Sequence, residues 1–238
     1  MNIDPNDLDA ASNYKLLIGS VIPRPIAWVS TVSTDGIGNL APISFFTVVG
    51  RKPPRVSLTF QPRADGVNLK DTFINIRDTG EFVSNMATFP QAADVQLSAV
   101  DYPSDVDEFE VLGLETTPSS AVVPPRLAEA PIALECKVFQ IFSSPDGLGN
   151  VVWADVVSFY VRDDLYLPSG RIDIPALSPI GRLAAEFSVT DTTFVPPLEP
   201  DELLRRSSQR MRRLDGRSDD FAAVDSAAWS ASGAVAGD

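Results

Sequence analysis

The stretch PRPIAWVSTVSTDGIGNLAPISFF, Pro23 to Phe46, sets the terms for the rest of the chain. Two apolar runs flank Asp35-Gly36, a dipeptide that readily supplies the positive-φ turn between antiparallel strands. A plain hairpin over 26–32 and 38–49 has no need of Asn39, Pro42 and Ser44 in its second arm. Proline removes a ladder donor, so Pro42 marks an edge, a bulge or a strand end. The second arm is expected to leave backbone groups free for something other than a neighbouring strand.

Further along, Lys52-Pro53-Pro54 reads as a turn and 55–60 as an alternating strand. Asp71 or Thr72 N-caps a short helix carrying Phe73, Ile74 and Ile76, and Gly80 stands just past its end. Residues 81–87, 132–142 and 151–161 read as strands, with a shorter β-rich run at 121–123. The acidic stretch 90–117, which contains Asp101, Asp105, Asp107, Glu108 and Glu110, reads as helix and loop with a solvated face, because its spacing matches no metal-ligand pattern. Many strands and few long helices argue for a mainly β small barrel with short helical insertions. Composition changes beyond Pro200. DELLRRSSQRMRRLDGR is an arginine-rich helical candidate, and SAAWSASGAVAGD has the small, polar make-up of a disordered tail.

Composition narrows the chemistry. With 238 residues and a net charge of −13, the chain repels phosphate backbones and anionic membranes, so neither nucleic acid nor membrane is expected as a partner. The N-terminal MNIDPNDLDAASNYK lacks the basic and apolar regions of a signal peptide, and no apolar run has the length of a membrane span, which fits a cytoplasmic protein. The single cysteine, Cys136, lies in an apolar run and reads as a buried strand thiol. Histidine is absent, which removes Ser-His-Asp and Cys-His nucleophiles and the commonest zinc ligand; no metal site is expected. Chemistry in such a chain calls for a borrowed reagent.

One local positive cluster stands out in this acidic sequence. Arg63 and Lys70 flank the start of the helix at Asp71, and Thr72 sits in its first turn. A helix N-terminus offers free N–H groups and partial positive charge, Arg63 adds a bidentate fork and Lys70 a point charge. As ordinary surface residues they need no ligand; as a group they suit a phosphate.

RPIAWVST and NLAPISFF, followed in order by KDTFINIRDTGEFV, DEFEVLGLE, RLAEAPIALEC and VVSFYVRDD, resemble the flavin reductase-like, FMN-binding split-barrel family, which includes the flavoredoxins. The likeness covers about residues 14–185. It implies a six-stranded antiparallel split β-barrel and a homodimer with FMN near the subunit interface; the change of composition beyond Pro200 sets the domain at 1–200 and a tail at 201–238. It places Pro42, Ile43, Ser44, Phe45 and Phe46 beside the flavin ring, makes Arg63, Lys70 and Thr72 phosphate ligands, and brings Arg24 within reach of the cofactor. It implies an oxidoreductase in which NADH or NADPH reduces FMN and passes electrons or reduced flavin to an acceptor, with no side chain required as acid or base. An FMN-binding electron carrier without nicotinamide reductase activity and a cofactor-free interaction module are the alternatives. Where many members carry histidine in the VVSFYV strand, this chain has Ser158 and Tyr160.

Overall fold

The opening motif folds as a hairpin. Gly36 takes φ 85°, Ser33 N donates to the Ile37 carbonyl at 2.8 Å, and β1 (Ala27–Val32) pairs with β2 (Gly38–Ile43) from Ala27 opposite Ile43 to Val32 opposite Gly38. Pro42 lies within the ladder opposite Trp28. The strand does not break there, and proline is tolerated because β2 is an edge strand with one side unpaired. The break falls two residues later, at Ser44-Phe45, after which the chain resumes as β3 (Phe46–Arg51).

This computed structural model describes residues 1–190, so the boundary expected at 200 and the tail at 201–238 lie outside the described residues. With β4 (Pro54–Phe60), β5 (Glu81–Met86), β6 (Ile132–Ser143) and β7 (Asn150–Val161), the strands form one antiparallel sheet in the order β2-β1-β5-β6-β7-β4-β3. Its two edges, β2 and β3, are consecutive in the chain. Ile43 and Phe46 are three residues apart, a span of at most about 11 Å. The far edges of a seven-stranded sheet are therefore drawn together at one point, and the sheet must curl. Phe45 contributes its carbonyl to Thr59 N at 2.8 Å, tying the link to β4. This is a split barrel, with seven strands and not the expected six. The single second arm expected over 38–49 divides at Ser44, and its halves serve opposite edges.

Alternation along the strands then makes the two larger of three buried clusters, the third being Ile132, Leu165 and Leu177. Ala27, Val29, Ile43, Val56, Leu58, Phe60, Phe82, Cys136 and Val152 point into the barrel, where Phe73 and Ile76 of α2 (Asp71–Thr79) pack among them. On the other face of β1, Trp28 is fully buried with Leu40, Val95 and Phe109, beneath α3 (Ala92–Leu97) and α4 (Glu108–Leu112). Each large side chain so buried stabilises the fold by roughly 1.5–3 kcal/mol. A small sheet of Arg24–Pro25, Ile180–Arg182 and Phe187–Val189 fastens the closing segment to the opening motif. An unanticipated α1 (Ala10–Ser20) begins at Asp9, whose carboxylate accepts from Ser12 N at 2.7 Å. The β-rich run at 121–123 is not a strand, because Ser120 N and Ala121 N donate to the buried Glu135 carboxylate. Among the described residues, no helix is long and apolar enough to cross a membrane.

Candidate functional site

A cleft of about 90 Å³ opens between the end of β2, the start of α2 and the loop after α3. Five of the nine residues singled out in the sequence line it: Pro42 and Ile43 from β2, and Arg63, Lys70 and Thr72 around the helix start. Ser44, Phe45 and Phe46 sit at the split beside it, outside its lining.

The cationic end rests on local backbone geometry. Lys70, and not Asp71 or Thr72, is the N-cap of α2; it has φ −72° and ψ 141°, and no side chain caps the helix. The first-turn N–H groups of α2 therefore lack a side-chain acceptor, the condition that favours an anion at a helix N-terminus. Arg63 is held at the head of a tight loop in which Asp65 accepts from Val67 N and Asn68 N, both at 2.9 Å. Its guanidinium donates to the carbonyls of Leu69 (3.2 Å) and Tyr102 (3.1 Å) and pairs with Asp71. Lys70 Nζ contacts Asp101 at 3.3 Å. Two cations and three carboxylates, Asp71, Asp101 and Glu108, thus line the cleft, so net side-chain charge alone does not make it an anion site. The helix N–H groups and the fork of Arg63 supply the directed donors.

Beneath this end runs a buried polar chain. Asn75 Nδ2 donates to Thr31 Oγ1 (3.0 Å), and Thr31 and Thr72 hydroxyls both donate to Asn39 Oδ1 (3.1 and 2.8 Å). Asn39 Nδ2 in turn donates to both carboxylate oxygens of Glu108 (2.9 and 3.0 Å), which also accepts from Leu40 N. Glu108 is 4% exposed, and burial pushes its carboxyl above the usual range despite those hydrogen bonds. The solvated face expected for the acidic stretch therefore has one exception, on which α4 is anchored. Asn39, Asp101, Tyr102 and Glu108 were not among the residues singled out as site candidates. Asn39 stands in the quoted NLAP motif, but Glu108 is hidden among surface acids, and no local signal separates it from them.

Arg24 is elsewhere. It is 6% exposed, and its guanidinium donates to the carbonyls of Ile18, Val21 and Leu183 and to Ser44 Oγ, with the Phe45 ring 5.9 Å away. It clamps α1, the opening motif and the closing segment at the split. Tyr160 borders a second cleft of about 390 Å³, with Arg126 stacked 3.7 Å from its ring. Among the described residues, no cluster of three or more potential metal ligands occurs.

The sequence model described as flavin reductase like domain matches residues 18–172. An uncharacterized protein of Halalkalibacterium halodurans is 40% identical over 200 residues, covering 82% of this chain and 94% of its own. Among solved structures, nitrilotriacetate monooxygenase component B from Bacillus cereus is 33% identical with a TM-score of 0.78, covering 82% of this chain and 98% of that one. The 2-nitrobenzoate 2-nitroreductase of Pseudomonas fluorescens is 31% identical with a TM-score of 0.73, covering 84% of this chain and 98% of that one. The Desulfovibrio vulgaris flavoredoxin, at 17% identity and a TM-score of 0.66 over 76% of this chain and 94% of that one, shares the fold. By sequence and by architecture, the chain belongs to the family of flavin reductase-like domains.

Proposed function

We propose that the chain is an FMN-binding oxidoreductase of the flavin reductase class, reduced by NADH or NADPH and delivering electrons or reduced flavin to a separate acceptor. The observation that carries this reading is the convergence of Arg63, Lys70 and the uncapped start of α2 at one end of a cleft whose wall is Pro42-Ile43. That donor set matches a phosphomonoester: a planar fork, a point charge and backbone N–H groups. Once bound, FMN supplies a carrier that takes up a hydride and gives electrons singly or in pairs. The protein's part is to hold and orient it. Arg63 and Lys70 fix the phosphate, Thr72 contributes its backbone N–H, and the edge strand β2 with the Ser44-Phe45 link offers unpaired backbone groups to the polar rim of the ring. Arg24 enters this reading through Ser44, which it braces. No side chain is assigned as acid or base, since hydride transfer mainly requires stacking of donor and acceptor rings.

The reading includes a homodimer in the cytoplasm. In its support, the central strands β6 and β7 carry Phe139, Phe142 and Phe159, each about half exposed, apolar side chains of the kind that a subunit contact covers. Anaerobic absorption spectra decide the reaction. Protein mixed with FMN and then NADH or NADPH is expected to bleach the flavin band. Binding without bleaching favours the electron carrier, and failure to take up FMN refutes the proposal.

A further inference from the structure

The hydrogen bonds below the cleft all point one way. A carboxylate only accepts, so the Asn39 amide must turn Nδ2 toward Glu108 and Oδ1 toward Thr31 and Thr72. Both threonine hydroxyls then spend their protons inward on Oδ1. Thr72 is 1% exposed and lines the cleft, so what it can offer a ligand from its hydroxyl is a lone pair.

We propose that Glu108 is a positioning residue that sets the polarity of this network, so that the anion end of the cleft is served by Arg63, Lys70 and backbone N–H groups, while the Thr72 hydroxyl is held as an acceptor. The inference rests on the FMN reading above, and it assigns Glu108 a part in selecting between phosphorylated and unphosphorylated flavin. The carboxylate lies on α4, Asn39 on β2 and Thr72 on α2, so the network also pins the first turn of α2 to two other elements.

Glu108→Gln reverses the chain. Leu40 N is a fixed donor, so the Gln oxygen stays with it, still 3.0 Å from Asn39 Nδ2, and the Gln amide nitrogen takes the other position, 2.9 Å from that same Nδ2. The 2.9 Å contact then sets two NH₂ groups against each other, which favours a flipped Asn39 whose nitrogen donates to Thr72 and Thr31, and the Thr72 proton is released toward the cleft. Thr31 Oγ1 accepts a second bond beside that from Asn75, and its own proton, given to Asn39 Oδ1 before the flip, turns to another acceptor.

The test compares FMN with riboflavin by fluorescence titration in four proteins: the unaltered chain, Glu108→Gln, Thr72→Val and the double variant. Glu108→Gln should raise the FMN-to-riboflavin affinity ratio about fivefold, with riboflavin itself changed by less than about twofold. Thr72→Val alone should leave the ratio within about twofold, and in the Glu108→Gln background it should remove the gain. An unchanged ratio in Glu108→Gln, or an equal loss of both ligands, overturns the proposal. So does a gain that survives in the double variant, which would be charge removal alone. Should Glu108→Gln fail to fold, Thr72→Val decides by itself, because a fivefold fall in its ratio means the hydroxyl already donates to phosphate. If the unaltered chain binds neither flavin, the FMN reading fails and not merely the role of Glu108.

Discussion

Lys70 Nζ lies 3.3 Å from Asp101 Oδ1, and the same oxygen stands 4.0 Å from Arg63 Nη1. An anion entering the cleft must share or displace a carboxylate already resting on both cations. The pair is about one-third exposed on each side, so it is worth no more than about 1 kcal/mol. Asp101→Asn should therefore tighten FMN about two- to fivefold and leave riboflavin unchanged. Joint Arg63→Glu and Lys70→Glu substitution should weaken FMN at least about tenfold more than riboflavin. Fluorescence titration at one fixed ionic strength checks both, and parallel changes for the two ligands would place the phosphate elsewhere.

How far the sequence led can be judged at particular residues. Asp35-Gly36 and Gly80 announced a turn and a helix end through local chemistry, and both are where the motif put them, with φ of 75° at Gly80. The helix start was placed one residue late because Asp71 is a good cap in isolation. Its carboxylate is instead drawn to Arg63 eight residues back, a contact no window of local propensity contains. The split at Ser44 was sensed as a disturbance near Pro42 but placed two residues early. Proline signals an edge, whereas the departure to the opposite edge depends on where β4 lies. Glu108 was illegible for a similar reason: its partner Asn39 is 69 residues away. Local rules wrote the strands; long-range pairing wrote the floor of the site.

Asp65 gives the loop below Arg63 a pH signature. Hydrogen bonds from Asn68 N and Val67 N, and then from the Asn68 side chain, hold its carboxyl down at about 2. A depressed carboxyl stabilises the fold above its unfolded value of 3.8, and the contribution is lost as pH falls toward 2. The melting-temperature difference between the unaltered chain and Asp65→Asn should be constant above about pH 5, shrink below pH 4 and vanish near pH 1–2. A difference that stays level across that range would show that these bonds do not carry it.

Cys136 should be chemically silent. It is fully buried between β5 and β7, its thiol donates weakly to the Leu134 carbonyl at 3.5 Å, and burial pushes its pKa up. The thiolate is the reactive form, so a disulfide reagent should not react with the native protein at neutral pH. In denaturant one thiol per chain should titrate. Rapid native labelling would mean that the barrel opens there.

Gly38 and Asp107 form a pair that can be measured. A Cβ at Gly38 would run into the Asp107 carboxylate, which caps α4 by accepting from Phe109 N at 2.8 Å. The obstacle is the far end of a side chain, so Asp107 can swing aside, at the expense of its cap. Gly38→Ala should therefore lose about 0.5–2 kcal/mol in urea unfolding, the usual value of an N-cap. Asp107→Ala should lose a similar amount, and the double variant should lose little more than either. Additive losses would mean that alanine at 38 disturbs something other than the cap.

Arg24 separates a structural clamp from a cofactor ligand. Its guanidinium spans three carbonyls, those of Ile18 and Val21 at the end of α1 and that of Leu183 in the closing segment, and desolvation lowers its pKa. A lysine ammonium keeps the charge but cannot reach all three at once. Arg24→Lys should therefore destabilise the fold by roughly 2–4 kcal/mol, because buried carbonyls lose charged donors. In a domain of this size that corresponds to a fall in melting temperature of about 5–15 °C. FMN affinity, measured well below the transition, should change less than in the joint Arg63 and Lys70 variant, since Arg24 meets the split at Ser44 and the Phe45 ring and does not line the cleft. An Arg24→Lys protein that melts normally but no longer holds FMN would move this arginine from the scaffold into the binding site.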